Sequence, residues 1–262
     1  MTIQRSVVAV PARLQSSRLP NKVLADIGGK SMIQRVLERC REASSVDAVV
    51  LCTDSTELQT RAEGWGFPVL ITAESCSSGS ERIASVAHPL MALGWGDEDP
   101  VAEETAVINV QGDQPFIDPA VIDAMAEEFQ SQDPVPAVVT PVYGLKPDSV
   151  HNPNVVKTLL AHDGRALYFS RSAIPHVRDV AEAEWHQHTT YWGHVGMYGF
   201  RGDVLAAWDQ LPASPLEDLE RLEQLRLIEA GYTIATFAVP GTSLSVDTAE
   251  QLEQARQMAA SA

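Results

Sequence analysis

The sequence has few cysteines, and their arrangement suits neither a metal site nor a disulfide framework. Cys40, Cys52 and Cys76 make an odd count in 262 residues, and no two of them form a Cys-x-x-Cys pair. Zinc-binding cysteines occur in closely spaced pairs, and secreted disulfide frameworks need a dense, even set. The cysteine content therefore argues against both and is typical of a reducing cytoplasmic compartment, where we expect the protein to work.

Long apolar runs are also missing near the start of the sequence. The polar residues 1–5 are followed by a short apolar run, residues 7–10, and then by a proline. A secretory signal needs an apolar core of about 7–15 residues, and a membrane-spanning helix needs about 20. We therefore expect neither a signal peptide nor a membrane anchor.

Positive charge is scarce, and it is unevenly distributed. The chain has 19 basic and 35 acidic residues, and its formal net charge is −16. Such a surface repels polyanions, which disfavours nucleic-acid binding and docking on an anionic membrane. Basic residues nevertheless outnumber acidic ones within residues 1–41. This excess indicates a local anion site, although Arg35, Arg39 and Arg41 have the spacing of a solvated helix face.

The first 140 residues alternate between strand-like and helix-like segments, which predicts a parallel, doubly wound α/β sheet. Buried parallel strands read as short apolar runs, and we find such runs at residues 7–10, 46–52, 69–72, 106–110 and 137–140. Helices are predicted to begin at Ser31, after Ser55, near Ser80 and near Pro119. Ligands of such sheets bind beyond the carboxyl ends of the strands. The loops 13–22, 77–82 and 111–113 should therefore converge.

After residue 150 the pattern becomes mixed and richer in β-structure. Asp163-Gly164 lies between two apolar runs and predicts a hairpin. We further predict a strand over residues 195–200, a helix over 216–230, a strand over 232–239 and a closing helix over 248–258. Residues 1–262 are therefore interpreted as a single domain, with a doubly wound part, 1–150, and a mixed, β-rich extension, 151–262.

The loop after the first strand carries three cations, Arg13, Arg18 and Lys22, between Pro11 and Pro20. Arginine offers a fork of donors for phosphate oxygens, and lysine offers a compact point charge. The spacing is not that of a Walker loop, since the required glycines are absent. The loop therefore predicts a triphosphate site, with a plain solvated loop as the alternative.

Two carboxylates are candidates for a magnesium site. Asp113 follows the fourth predicted strand, and Mg²⁺ prefers one or two carboxylates together with substrate oxygens. Asp247 precedes the closing helix, and its spacing alone favours a helix N-cap over a metal ligand. Sequence spacing does not show whether these two residues meet.

Four later residues have weaker signals. His194 and Tyr198 would share one face of a continuous strand, because residues four apart point to the same side. A lone histidine of this kind is more often a core residue than a ligand. Glu223 and Gln224 have the pattern of ordinary helix surface.

Together, these segments resemble the 3-deoxy-manno-octulosonate (KDO) cytidylyltransferase family, from about Val7 to about Arg256. Each motif is weak alone, but all of them in this order are specific. The motifs include Pro-Ala-Arg-x5-Leu-Pro-x-Lys over residues 11–22, Thr53-Asp54, and residues 78–82, 109–113, 152–157, 167–175, 194–200, 214–217, 222–226 and 246–248.

The resemblance implies a nucleotide-diphospho-sugar transferase fold and a nucleotidyltransferase reaction. CTP and KDO would give CMP-KDO and pyrophosphate, with Mg²⁺ as the cofactor. The product would serve the synthesis of surface polysaccharide or lipopolysaccharide. The family also implies a cytoplasmic homodimer. In that arrangement, residues 1–150 would bind the nucleotide, and residues 151–262 would carry sugar binding and dimerisation.

Site residues are carried over by position from the resemblance. Catalysis is assigned to Arg13, Lys22, Asp113 and Asp247, and the last two would bind magnesium. Nucleotide binding is assigned to Ala12, Arg13, Arg18, Lys22, Ser78, Gly79 and Arg82. Sugar binding is assigned to Gln111, Arg171, His194, Tyr198, Glu223 and Gln224.

The sequence departs from the family pattern at several places. Gln114 stands where the family usually has Glu, and Cys76 and Ser77 replace a frequent His and a usual Gln. The segments 178–188 and 241–246 look longer than usual. These changes leave two alternatives open. One is a related 2-keto sugar acid, such as 8-amino KDO or a sialic-type acid, and the other is a non-catalytic nucleotide-sugar-binding protein.

Overall fold

The structure, a computed structural model, describes residues 2–16 and 19–261. It divides into two compact units. The first unit comprises Met1–Val135, Met197–Asp209 and Ser243–Ala262, and the second comprises Pro136–Gly196 and Gln210–Thr242. The expected partition near residue 150 stays a prediction. Among the described residues, no helix is long and apolar enough to cross a membrane.

The strands of the described chain are numbered in chain order. They are Arg5–Ala12 (β1), Asp26–Ile27 (β2), Lys30–Ser31 (β3), Ala48–Thr53 (β4), Val69–Ile71 (β5), Thr105–Asn109 (β6), Val138–Gly144 (β7), Lys157–Leu160 (β8), Ala166–Ser170 (β9), Trp192–His194 (β10), Tyr198–Arg201 (β11) and Ile234–Ala238 (β12).

The α-helices of the described chain are numbered in the same way. They are Met32–Arg41 (α1), Thr56–Gly64 (α2), Gly79–Ala84 (α3), Ala87–Trp95 (α4), Pro119–Ser131 (α5), Gly202–Ala206 (α6), Pro215–Glu220 (α7), Gln224–Glu229 (α8) and Ala249–Ala260 (α9). Short 3₁₀ helices occupy Lys22–Leu24, Ala102–Glu104, Pro147–Ser149, Glu182–Gln187 and Trp208–Gln210.

The sheet of the first unit has the strand order β5-β4-β1-β6-β11. β4 and β6 flank β1 in parallel, β5 runs parallel to β4, and β11 runs antiparallel to β6. The side chains of β1 from Val7 to Val10 are fully buried, as expected for a strand covered on both faces. The predicted parallel sheet is confirmed for its first four strands, and the carboxyl ends of β1, β4, β5 and β6 lie at one edge. The fifth predicted strand, over residues 137–140, is β7 of the second unit, where it pairs antiparallel with β10.

Helix α1 shows how local sequence sets this unit. The Ser31 hydroxyl accepts a hydrogen bond from the Gln34 amide at 3.4 Å and caps the helix. Two arginines of the predicted solvated face also bind neighbouring backbone. Arg35 Nε donates to the Ile27 carbonyl at 2.5 Å, and Arg39 Nε donates to the Ile117 carbonyl at 3.0 Å. These two cations tie the helix to neighbouring backbone.

The second unit is mainly antiparallel. Its strands follow the order β7-β10-β8-β9, and β12 pairs with β7 in parallel. The hairpin predicted around Asp163-Gly164 joins β8 and β9, and Gly164 has the positive φ of 83° that favours glycine. The expected mixed, β-rich extension is therefore present.

Three predicted elements are interrupted. The helix expected over residues 216–230 is two helices, because Arg221 adopts a left-handed φ of 55°. Glu220 fixes this break, since its carboxylate accepts from Ser170 Oγ at 2.6 Å and from the Arg171 amide at 2.9 Å. The strand expected over 195–200 is absent before Tyr198. The helix predicted to begin near Ser80 is also split, into α3 and α4.

A buried lysine organises the start of β8. The Lys157 side chain is fully buried, and its ammonium donates to the carbonyls of Asn152, Val155 and Arg171 at 2.8, 2.7 and 2.5 Å. Burial lowers the pKa of Lys157 below its ordinary value, and the charge of nearby Glu220 opposes this shift. The ammonium therefore joins the 152–157 turn to the residue that follows β9.

We expect Lys157→Met to destabilise the protein, because it removes a buried ammonium that donates to three backbone carbonyls. The loss should be about 2–4 kcal/mol in the free energy of unfolding, measured by urea denaturation. Lys30→Met is the matched control, since the Lys30 side chain is 48% exposed and pairs with Glu38 at the surface. Equal unfolding midpoints for the two variants would contradict the structural role of Lys157.

Candidate active site

A pocket of the first unit lies where the carboxyl ends of β1 and β6 meet the start of α3. The three loops that are predicted to converge, 13–22, 77–82 and 111–113, all contribute residues to this pocket. Its walls are formed by Pro11, Ala12, Arg13, Gln15, Ser16, Lys22, Val23, Cys76, Ser77, Ser78, Gly79, Arg82, Gln111, Gly112, Asp113 and Asp247. The pocket therefore gathers the residues predicted for nucleotide and metal, except Arg18, which lies outside the described residues.

Lys22 lies between the two candidate metal ligands. Its Nζ is 2.8 Å from Asp113 Oδ2 and 2.7 Å from Asp247 Oδ1, and it donates to the Val246 carbonyl at 3.3 Å. Burial by itself lowers the pKa of Lys22, but the charges and hydrogen bonds of Asp113 and Asp247 outweigh burial and raise this pKa. The ammonium is therefore a firmly charged cation bridging two carboxylates.

Local backbone structure explains how Lys22 and Asp247 reach this position. Asn21 adopts a left-handed φ of 53° immediately before the short helix Lys22–Leu24, which turns the loop back toward the sheet. The Val246 amide donates to the Asp113 carbonyl at 2.9 Å, so the segment before α9 is attached beside the loop that follows β6.

The N-cap interpretation of Asp247 is wrong. Thr248 caps α9 instead, and it forms a capping box with Gln251. The Asp247 amide donates to Gln251 Oε1 at 2.8 Å, which leaves the Asp247 carboxylate directed to Lys22. Sequence spacing does not identify the cap, because aspartate and threonine are both good N-caps and Asp247 and Thr248 are adjacent.

The donor set fits a magnesium ion. Asp113 and Asp247 are far apart in sequence, yet their carboxylates meet at one cation, the Lys22 ammonium. Within the described residues there is no group of three or more histidine, cysteine, aspartate or glutamate side chains that could hold a metal. Two carboxylates completed by substrate oxygens are the arrangement that Mg²⁺ prefers.

Two glycines allow the walls of the pocket to approach each other closely. A Cβ on Gly112 would lie 3.0 Å from the Pro11 carbonyl oxygen, and one on Gly79 would lie 3.1 Å from Pro11 Cγ and 3.3 Å from Gln111 Oε1. A larger residue at either position would separate the strand ends. Gln111, which the resemblance assigned to the sugar, therefore lies beside the predicted nucleotide residue Gly79.

Arg82 is a buried cation in the same pocket. Its side chain is 3% exposed, and its Nη2 lies 2.9 Å from Asp54 Oδ2. Its Nη1 donates to Thr72 Oγ1 and contacts the Ala73 carbonyl at 3.5 Å. The sequence identifies Asp54 only as part of the Thr53-Asp54 motif and predicts no role for it. Its position after a buried strand was the available signal, but the sequence does not reveal its partner.

Arg171 and His194 belong to the second unit. Arg171 donates through Nε to the Glu220 carbonyl at 2.7 Å and through Nη1 to the Pro153 carbonyl at 3.2 Å. His194 Nε2 lies 2.9 Å from Thr140 Oγ1, and burial lowers the pKa of His194 to about 3. His194 is therefore a neutral imidazole near pH 7, whereas Arg171 carries a fixed positive charge.

The remaining predicted sugar residues differ from their sequence interpretation. Gln224 is 1% exposed, so the helix-surface interpretation is wrong for it, and Glu223 is half-buried. Tyr198 is buried in β11, while His194 ends β10. His194 and Tyr198 do not lie on one continuous strand as predicted, because the chain is not a strand between them.

The departures from the family pattern also have defined positions. Cys76 and Ser77 line the pocket. Gln114 is 7% exposed, and its Oε1 is buried without a hydrogen-bond partner among the described residues. In the longer segment 178–188, Trp185 packs with Val150 and Tyr191 in a small core of the second unit.

Comparison with known proteins identifies the family. A sequence-family profile described as cytidylyltransferase matches residues 7–234. A 3-deoxy-manno-octulosonate cytidylyltransferase from Myxococcus xanthus is 40% identical over 250 residues, covering 95% of this chain and 94% of that relative. The enzyme of the same name from Polynucleobacter necessarius is 42% identical over 258 residues, covering 97% and 95%.

Solved structures agree. The structure of CMP:2-keto-3-deoxy-manno-octonic acid synthetase complexed with CTP has a TM-score of 0.87 and 36% identity, covering 98% of this chain and 99% of that one. A cytidylyltransferase from Leptospira borgpetersenii has a TM-score of 0.61 at 15% identity, covering 98% and 87%, which shows the shared fold alone. The predicted α/β nucleotidyltransferase fold is confirmed. The chain belongs to the 3-deoxy-manno-octulosonate cytidylyltransferase family.

Proposed function

We propose that this chain transfers CMP from CTP to KDO, giving CMP-KDO and pyrophosphate. The observation that carries the proposal is the junction of Lys22, Asp113 and Asp247 in one pocket with Arg13 and the 78–82 loop. This arrangement combines cations for a triphosphate with carboxylates for a metal. Family membership supplies the identity of the nucleotide and the sugar acid.

The reaction joins three anionic groups, so charge neutralisation and positioning dominate catalysis. The anomeric hydroxyl of the sugar acid attacks the α-phosphorus, and pyrophosphate leaves with its electron pair. Arg13 and Lys22 would hold the β- and γ-phosphate oxygens and stabilise the negative charge that develops on the leaving group. Neither a covalent intermediate nor a dedicated protein base is required.

Asp113 and Asp247 would hold Mg²⁺ together with phosphate oxygens. When bound, the metal would neutralise phosphate charge and lower the pKa of the attacking hydroxyl. The Lys22 ammonium contacts an oxygen of each carboxylate, so a divalent cation and the ammonium would compete for the same partners. Phosphate binding by Lys22 would favour metal binding, because it draws the ammonium away from the carboxylates.

Sugar-acid recognition is assigned by resemblance to Gln111, Arg171, His194, Tyr198, Glu223 and Gln224. Arg171 would pair with the sugar carboxylate as a fixed cation. His194 would bind a hydroxyl group as a neutral imidazole, consistent with its low pKa. We further propose, from the family resemblance, a homodimer that works in the cytoplasm and supplies surface-saccharide synthesis.

The direct test is pyrophosphate release from CTP with Mg²⁺ and a panel of sugar acids. We expect release with KDO, and the panel should include 8-amino KDO and a sialic acid because Gln114 replaces the usual acidic residue. A preference for another acid would correct the substrate. No release with any acid by a folded sample would overturn the enzymatic function in favour of a nucleotide-sugar-binding protein.

We expect Asp113→Asn to lower kcat about 100-fold or more, because it removes a metal ligand from the reacting phosphate. The melting temperature should change little, since Asp113 lies at the edge of a pocket and not in the core. Asp118→Asn is the control: Asp118 caps α5, and asparagine caps equally well. Turnover by Asp113→Asn near the wild-type rate would refute the metal assignment.

We expect Lys22→Gln to lower kcat/KM for CTP about 100-fold, because a phosphate loses a charged hydrogen-bond donor. Steady-state kinetics at saturating sugar acid measure this loss. Lys30→Gln removes an equal charge from an exposed side chain and should leave CTP kinetics unchanged. If kcat/KM for CTP is the same in both variants, Lys22 does not bind the phosphates of CTP.

A further inference from the structure

Arg82 differs from the other cations of the pocket because its counter-charge is built into the fold. Arg13 is exposed and lies on a loop, whereas the Arg82 side chain is 3% exposed and belongs to α3. Its carboxylate partner among the described residues is Asp54, whose side chain is 15% exposed. A buried ion pair adds little net stability, so stability alone does not explain why this pair lines a ligand pocket.

Three elements hold the guanidinium in place. Asp54 follows β4, Thr72 follows β5, and Ser78 caps α3 by accepting from the Glu81 amide at 3.1 Å. The ends of β4 and β5 are themselves joined, since the Thr72 amide donates to the Thr53 carbonyl at 2.9 Å. Nη1 and Nη2 of Arg82 are both bound on this side, to Thr72, Ala73 and Asp54.

The fixed orientation leaves donor capacity for a ligand. Arginine has five N–H donors and no acceptor, and the described partners of Arg82 engage Nη1 and Nη2 only. Its Nε–H donates to none of the described residues. Cytosine presents adjacent acceptors at O2 and N3, whereas uracil presents a donor at N3. A rigid donor therefore accepts cytosine and opposes uracil, and a mobile one distinguishes them less.

We propose that Asp54, assisted by Thr72, is a positioning residue that fixes Arg82 and thereby sets the preference of this pocket for cytosine over uracil. The inference rests on the proposed function, in which the pocket takes CTP with its cytidine near residues 78–82. Asp54 touches Arg82 and not the reacting groups, so its loss acts on base selection and leaves phosphoryl transfer largely intact. This role accounts for the Thr53-Asp54 motif, which no other part of the mechanism uses.

The test compares nucleotide binding with turnover in Asp54→Asn. Calorimetry with CTP and with UTP, in the absence of sugar acid, gives the CTP/UTP affinity ratio, which is the dissociation constant of UTP divided by that of CTP. We expect this ratio to fall about tenfold toward equal binding, because one charged hydrogen bond that orients Arg82 is weakened. With CTP and KDO, KM for CTP should rise while kcat stays within about twofold of wild type.

Two further variants separate positioning from mere folding. Asp54→Glu keeps the charge and should recover part of the selectivity. Thr72→Val removes the hydroxyl from Arg82 at nearly equal volume and should lower the CTP/UTP ratio in the same direction, so it decides the question if Asp54→Asn does not fold. Asp203→Asn is the control, because Asp203 pairs with Arg201 at 2.5 Å and does not line the pocket.

Each outcome decides whether Asp54 acts in base selectivity or only in folding. An unchanged CTP/UTP ratio in folded Asp54→Asn would overturn the proposal, as would an equal loss of affinity for both nucleotides. A drop in kcat at unchanged ratio would indicate a structural role only and would also overturn it. Failure of the proposed function is distinguishable, since it would abolish pyrophosphate release by the wild-type protein itself.

Discussion

The bridging of Asp113 and Asp247 by the Lys22 ammonium is the interaction on which the pocket depends. Two carboxylates close together repel each other and resist ionisation unless a cation lies between them. Lys22 supplies this cation at 2.8 and 2.7 Å. It connects the loop after β1, the loop after β6 and the segment before α9. The edge of the parallel sheet thereby becomes a site with a defined place for positive charge.

The same principle organises the other side of the pocket. Arg82 is held by Asp54 as Lys22 is held by Asp113 and Asp247, and in both cases a carboxylate follows a buried strand. A protein of net charge −16 can bind a triphosphate only where local cations overcome the general repulsion. Carboxylates at the strand ends fix those cations in place, so positive charge is concentrated where one nucleotide fits.

Much of the first unit could be predicted from sequence, because buried parallel strands leave continuous apolar runs and their loops meet at one edge. The convergence of Arg13, Lys22 and Asp113 follows from that rule. The roles of individual site residues came from the family resemblance. Spacing could not show that Asp247 and Asp113 meet at one cation, because the two residues are far apart in sequence. It also could not show which residue caps α9, because Asp247 and Thr248 are adjacent and both are good helix N-caps.

The errors arose where distant residues decide the local structure. The break between α7 and α8 depends on Glu220 binding Ser170 and the Arg171 amide, a contact across 50 residues that no helical periodicity contains. The burial of Gln224 and the partnership of Asp54 with Arg82 have the same origin. Amphipathic spacing identifies which face of an element is apolar, but it does not identify which polar side chains find a partner.

The most direct measurement of the central claim is Mn²⁺ binding to the nucleotide-free protein, followed by electron paramagnetic resonance as a probe of the proposed Mg²⁺ site. Wild type and Lys22→Gln are compared at equal protein concentration and ionic strength. If the ammonium and the metal compete for Asp113 and Asp247, Lys22→Gln should bind Mn²⁺ about tenfold more tightly, because a competing positive charge has been removed. Equal or weaker binding by Lys22→Gln would contradict the account.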